Sequence, residues 1–129
     1  MNAAAEGSRH VVRMRSSRQA PARARREVRR LLSGAAGRAA VDTAVLLTSE
    51  LVTNAVRYGD VHEIVMTVEC GPRVIRVSVL DGSPLPPRLT TAPLDGVGGR
   101  GILMVDHMSS GWGVNPDGGG KSVWFRLDL

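Results

Sequence analysis

Cysteine is almost missing from this chain: Cys70 stands alone. An internal disulfide is therefore excluded, and Cys70 has no zinc-type spacing with His10, His62 and His107. Aromatic residues are nearly as scarce. They are Tyr58, Trp112, Trp124 and Phe125, none of them in the arginine-rich start, so single-stranded bases would find no stacking platform there. No apolar run approaches the roughly 20 residues that cross a bilayer, and no apolar secretory stretch follows Met1. The expectation is a cytoplasmic protein without a membrane partner. Lysine is also rare: Lys121 is the one lysine among seventeen basic residues, a bias that fits a GC-rich coding sequence rather than a chemical need.

What remains is an ordinary globular composition. With 129 residues, 43% of them hydrophobic and 22% charged, the chain predicts one compact domain rather than disorder. The net charge of +5 is unevenly placed, because the stretch up to Arg38 sets ten arginines against Glu6 and Glu27. The remainder carries seven basic and ten acidic side chains. An arginine-rich start reads as a mitochondrial presequence, a nucleic-acid arm or a solvated helix face. Arg25 with Arg29, and Arg26 with Arg30, repel at i,i+4 unless something acidic covers them, and a protein partner is the preferred cover.

Periodicity divides the chain into elements. Residues 1–8 are small and polar and predict a disordered tail. Residues 10–15 offer a short edge strand. Across 18–33, Ala24, Val28, Leu31 and Leu32 recur at helical spacing behind Pro21, which a first turn tolerates. A second helix spans 38–58 through Val41, Ala44, Val45, Leu51, Val52 and Ala55, with Gly59 as its stop. The period then changes to two: Ile64, Met66, Val68 and Cys70 share a face, and Gly71-Pro72 turns into a strand over 74–80. Residues 82–101 hold four prolines and five glycines and predict a long functional loop. A short helix over 101–108 and strands over 112–114 and 121–129, around an Asn115-Pro116-Asp117-Gly118 turn, complete the pattern. The fold class is an α+β two-layer sandwich, with helices on one face of a mixed, mostly antiparallel sheet.

Three features could carry chemistry. Glu50 and Asn54, at i and i+4, project from one helix face, where a carboxylate and an amide could hold a metal and a water; such pairs more often sit on solvated faces. Asp81 is in phase with Ile75, Val77 and Val79, so an unbroken strand aims its carboxylate to the apolar side. There it needs a partner, either a ligand amine or a backbone turn at Asp81-Gly82. Gly96, Gly98, Gly99 and Gly101 run into Ile102-Leu103-Met104-Val105, and backbone N–H groups at a helix start favour anions. No Gly-Lys-Ser/Thr closes this series into a Walker loop, and no β-α-β unit surrounds it. Trp112 and Trp124 read as core or sheet-edge packing, His107 as a helix-end residue and Cys70 as a small buried side chain.

The order of these features, with Glu50-x-x-x-Asn54-Ala55 followed by Arg57 and Tyr58, resembles the GHKL, or Bergerat-fold, ATP-binding superfamily. The Gly99-Arg100-Gly101-Ile102 stretch is similar to that of anti-sigma factor serine/threonine kinases and their single-domain actinobacterial relatives. The resemblance covers residues 9–129, with a lid at about 82–100. It implies that Glu50 is a general base or water positioner, that Asn54 is a Mg2+ ligand and that Arg57 and Tyr58 reach phosphate. Asp81, with Gly82 beside it, would accept the adenine amino group. Gly98, Gly99 and Gly101 would let the lid approach the phosphates, and Arg100 would either take over the γ-phosphate contact or be a surface residue. Ser122 matches the family's hydroxyl residue near the adenine; a one-residue change of register would put Lys121 there instead. Two departures stand out: the Asp-x-Gly-x-Gly box reads Asp81-Gly82-Ser83-Pro84-Leu85, and Val97 stands where the kinases carry an arginine. The implied function is an ATP- and Mg2+-dependent serine/threonine protein kinase that binds a sigma factor and phosphorylates an anti-sigma antagonist, with a homodimer as a common state. Alternatives are a non-catalytic ATP-gated regulator, a free-standing ATPase and a nucleic-acid binder through the arginine-rich start.

Overall fold

Apolar residues one helical turn apart decide the first helix. In the computed structural model, which describes residues 7–59, 62–82 and 101–129, Ala20, Ala24, Val28 and Leu32 are buried along α1 (Ala20–Leu32). Arg23, Arg25, Arg26, Arg29 and Arg30 stay on its wet side. The second helix, α2 (Arg38–Tyr58), buries a wider face, from Val41 to Ala55. By length and composition α2 would suffice to cross a membrane, yet it packs against both the sheet and α1, as the core helix of a domain does.

The strands are β1 (Ser8–Arg15), β2 (Glu63–Cys70), β3 (Val74–Asp81), β4 (Gly111–Asp117) and β5 (Gly120–Asp128), with α3 (Gly101–Met108) ahead of β4. They form one sheet in the order β1-β2-β3-β5-β4. All four pairings are antiparallel, so the sheet has no parallel member among the described residues. Directly opposed residues share a face, so Val68, Val77 and Phe125 line up across the sheet and are buried beneath the helices. With Ile64, Met66, Ile75 and Val79, and with Ile102 and Val105 of α3, they make the core. Each such large side chain contributes roughly 1.5–3 kcal/mol relative to leaving it exposed.

One sequence expectation needs correction. The turn before β5 is not Asn115 to Gly118: β4 runs on through Asn115 and Pro116, and the chain reverses at Gly118-Gly119, with φ of 55° and 93°. A two-residue hairpin turn of type I′, whose twist matches that of the strands, needs positive φ at both positions, which glycine supplies, while Pro116 is tolerated because β4 is an edge strand. Gly59 does end α2, but not as a left-handed cap, since its φ is −79°. It is glycine for space: a Cβ there would lie 2.5 Å from the Ala55 carbonyl oxygen and 3.1 Å from the Asp81 Cβ. The end of α2 is thereby pressed onto the end of β3.

Residues 1–6 of the expected tail and 83–100 of the expected lid, including Gly98, Gly99 and Arg100, lie outside the described residues. Within the core, the Thr48 hydroxyl on α2 is buried without a hydrogen-bond partner among the described residues. Thr48→Val keeps the shape and removes that desolvation penalty, and is expected to raise unfolding free energy by about 1 kcal/mol in a denaturant titration. An unchanged or lower value would mean that the hydroxyl is satisfied in solution.

Candidate functional site

Helical geometry gathers the first group of candidates. Glu50, Asn54 and Arg57 fall on one flank of α2. Asp42 and Ser49, on the opposite flank, face α1, where they accept hydrogen bonds from Arg29 at 2.9 Å and Arg25 at 2.8 Å. Glu50 and Asn54 are half-buried, Tyr58 partly so, and Arg57 is exposed. Burial pushes the Glu50 carboxyl above the ordinary carboxylate value by disfavouring its charged form. A carboxylate moved toward neutral pH and set in a partly dry flank is suited to take a proton from a hydroxyl.

The second group meets at the end of the β3–β5 seam. Asp81 keeps phase with Ile75, Val77 and Val79 and is buried, as the alternation predicted. Its partner was not foreseen. Directly opposite stands Lys121, and the Lys121 ammonium donates to Asp81 Oδ1 at 3.0 Å, with both side chains no more than 5% exposed. Among the described residues these are the two buried charged side chains. Leu80, not Asp81, is opposite Ser122, so the register turns Ser122 to the other face of the sheet. The lysine that codon bias had accounted for occupies the place considered for the hydroxyl residue, because β5 alternates strictly from Lys121 through Val123, Phe125 and Leu127. That alternation was the signal in the sequence that could have singled out Lys121.

Backbone packing fixes the Asp81 end. Gly59 closes on the Asp81 Cβ, and at Gly120 any Cβ would run into the Asp81 carbonyl oxygen. Gly82 follows at the mouth of the undescribed segment, and Gly101 begins α3 on its far side. The structure thus brings Tyr58 and Gly59 at the end of α2 to Asp81, Gly82 and Lys121, with Glu50 and Asn54 further along the same helix.

The residues fit an adenine nucleotide in part. Asp81 offers a carboxylate for an amine, although Lys121 already engages it. No cluster of three or more His, Cys, Asp or Glu side chains is placed to hold a metal among the described residues. The donors suit a magnesium ion carried in on phosphates and completed by water and one amide oxygen, rather than an all-protein cage.

Other candidates are structural. Trp124 lies on the outer face of the sheet, with the Arg76 guanidinium 4.3 Å from its ring centroid and its indole against Gly113. Trp112 packs partly on the core and donates from Nε1 to Asp106 at 2.8 Å. His107 is exposed near the end of α3, and Cys70 is buried.

Comparison with known proteins agrees with this architecture. The family model described as histidine kinase-like ATPase domain matches residues 14–127. A crystal structure of the RsbU and RsbW domains of a Mycobacterium tuberculosis protein superposes with a TM-score of 0.71 at 20% identity, over 93% of this chain and 32% of that one. The chain thus spans about a third of that protein's structure, and the likeness concerns the fold. Comparison with curated sequences finds no match.

Proposed function

The chain belongs to the histidine kinase-like ATPase domain family, and on that premise we propose that it binds ATP with Mg2+ and transfers the γ-phosphoryl group to a serine or threonine of a protein, as anti-sigma factor kinases do. The observation that carries this reading is the flank of α2, where a half-buried carboxylate, an amide one turn on and an arginine are aligned toward the helix end that abuts Asp81. Asp81 accepts from the adenine amino group. Arg57 and Tyr58 reach the phosphates. Asn54 supplies an oxygen to magnesium, which when bound neutralises phosphate charge. Glu50 takes the proton of the incoming hydroxyl. Positioning and charge neutralisation suffice for such a transfer, so few side chains are needed.

Calorimetric titration with ATP and ADP in magnesium buffer tests the site: saturable binding that EDTA removes is expected, and no heat with either nucleotide would end the reading. Labelled ATP with a candidate antagonist protein then tests the transfer. The altered Asp81-Gly82-Ser83-Pro84-Leu85 box and Val97 in place of an arginine favour a second reading, a regulator that binds nucleotide without transferring phosphate, and ATP binding with no label on any antagonist would support it.

The same reading gives α1 the partner surface. Arg25, Arg26, Arg29 and Arg30 line a shallow concavity of about 390 Å³ with Ser33 and Val45. Arg29 and Arg30 are paired with Asp42 and Glu27, whereas Arg25 and Arg26 make no ion pair among the described residues. An acidic face of a sigma factor or of its antagonist fits there. Arg25→Glu with Arg26→Glu is expected to weaken partner capture about tenfold or more in a pull-down, and to leave ATP affinity unchanged. Wild-type capture should fall as salt rises, since exposed charges are screened over about 8–10 Å. Capture indifferent to both changes would place the partner elsewhere.

A further inference from the structure

β1 is one border of the sheet, and its pairing with β2 engages half of its backbone. In an antiparallel ladder, alternate residues turn N–H and C=O together toward the neighbouring strand, and those between turn both away. The Ser16 N–H donates to the His62 carbonyl at 2.8 Å, which continues the β1–β2 register and sets the parity: even-numbered residues of β1 bond to β2. Arg9, Val11, Arg13 and Arg15 therefore hold their backbone groups toward the open border. We propose that this border docks an extended acidic segment of a partner protein as an added antiparallel strand. The inference is independent of the nucleotide reading.

Three observations carry it. The border is long and regular: all eight residues of β1 pair with β2 without a bulge, and none is proline, so an incoming strand meets an unbroken edge. Its side chains are of one sign. Met14 faces the core, so Arg9, Arg13 and Arg15 lie on the opposite, exposed face, around a Val11 that is 47% exposed. Arg9 and Arg15 make no ion pair among the described residues, and Arg13 holds Glu63 in an exposed pair of the weak kind. Finally, charge selects the occupant. A second copy has to set border residue against border residue, and the two most centred registers that do so place Arg9 opposite Arg13 or opposite Arg15, twice over. An acidic strand turns that repulsion into attraction. A nucleic-acid backbone would meet the arginines, yet its phosphates are acceptors alone and leave the border carbonyls unserved. Directly opposed residues share a face, so the partner segment reads acidic-x-acidic-x-apolar-x-acidic, opposite Arg15, Arg13, Val11 and Arg9 in turn.

The test uses a labelled heptapeptide, Glu-Thr-Glu-Thr-Val-Thr-Glu with blocked ends, and two N-methylated forms, read by fluorescence anisotropy. Methylation of the central glutamate and the valine, whose N–H groups would face β1, is expected to weaken binding about tenfold or more. Methylation of two threonines, whose N–H groups would face away, should change it little. Bound peptide should also slow hydrogen exchange at the amides of Arg9, Val11, Arg13 and Arg15 and spare those of His10 and Val12. Arg9→Gln with Arg13→Gln should weaken binding about tenfold and flatten its salt dependence. Val11→Pro removes an N–H that faces the border rather than β2, and should abolish binding; if it does not fold, the glutamine variant and the methylated peptides carry the test. No binding of the unmodified peptide, equal loss from both methylated forms, unprotected border amides or indifference to the arginine changes overturns the proposal. So does a short DNA oligonucleotide that displaces the peptide without protecting the border amides, which gives the surface to nucleic acid. Border protection that rises with protein concentration in the absence of peptide overturns it too, in favour of a second copy.

Discussion

Asp81→Ala or Lys121→Met alone is expected to remove about 3–5 kcal/mol of stability, because either change removes one half of a buried ion pair. For a chain of 129 residues that is a large fraction of the total, and thermal unfolding should begin roughly 10–20 °C earlier. The double variant Asp81→Val with Lys121→Met should recover most of the loss, since it continues the Val79–Val123 rung above it. Recovery of stability should not bring back ATP binding, which the double variant is expected to lack. Denaturant titrations of the three variants with calorimetry on the double one separate the two effects. A double variant as unstable as the single ones would mean that the pair is not an isolated rung, and one that binds ATP normally would remove Asp81 from the site.

Glu50→Gln is expected to lower phosphoryl transfer by about a hundred- to ten-thousandfold while leaving ATP affinity unchanged, the signature of a group acting on the incoming hydroxyl. Asn54→Ala should instead abolish the magnesium dependence of ATP affinity, because a metal ligand acts on the bound nucleotide before any transfer. If both variants lose nucleotide equally, the division of roles fails. Glu50→Gln also has a stability signature. The Glu50 carboxyl is raised by burial above its reference value of 4.5. Its favourable contribution is therefore complete below that value and is lost as pH rises through the folded-state pKa. At neutral pH the charged, half-buried carboxylate weighs against folding, so Glu50→Gln should be the more stable protein there, with the difference closing in acid.

The helices and the face of each strand were legible because their cause is local. Ala20, Ala24, Val28 and Leu32 declare a helix by spacing, and the Ile75-Val77-Val79-Asp81 alternation placed a carboxylate in the core. The strand partners of Asp81 were not legible, because opposition across β3 and β5 depends on the turn between β4 and β5, and Asn115-Pro116-Asp117-Gly118 is as good a turn locally as the Gly118-Gly119 that is used. One residue of register decides whether Lys121 or Ser122 meets Asp81. The role of Gly59 was hidden for a related reason: it is set by Asp81, which lies 22 positions later in the chain and reaches it only in the folded molecule.

The strand order has a consequence for synthesis of the chain. β2 with β3, and β4 with β5, are hairpins that can form in about 1–10 μs once both arms exist. The β3–β5 seam joins residues 40 apart at Asp81 and Lys121, so the edge of β3 has no partner until β5 leaves the ribosome. During that interval the middle of the future sheet is an open row of N–H and C=O groups flanked by Ile75, Val77 and Val79, the sort of edge that pairs with a neighbouring chain. The nascent protein is most exposed to chaperones, and to aggregation, over the span of translation between the end of β3 and the end of β5.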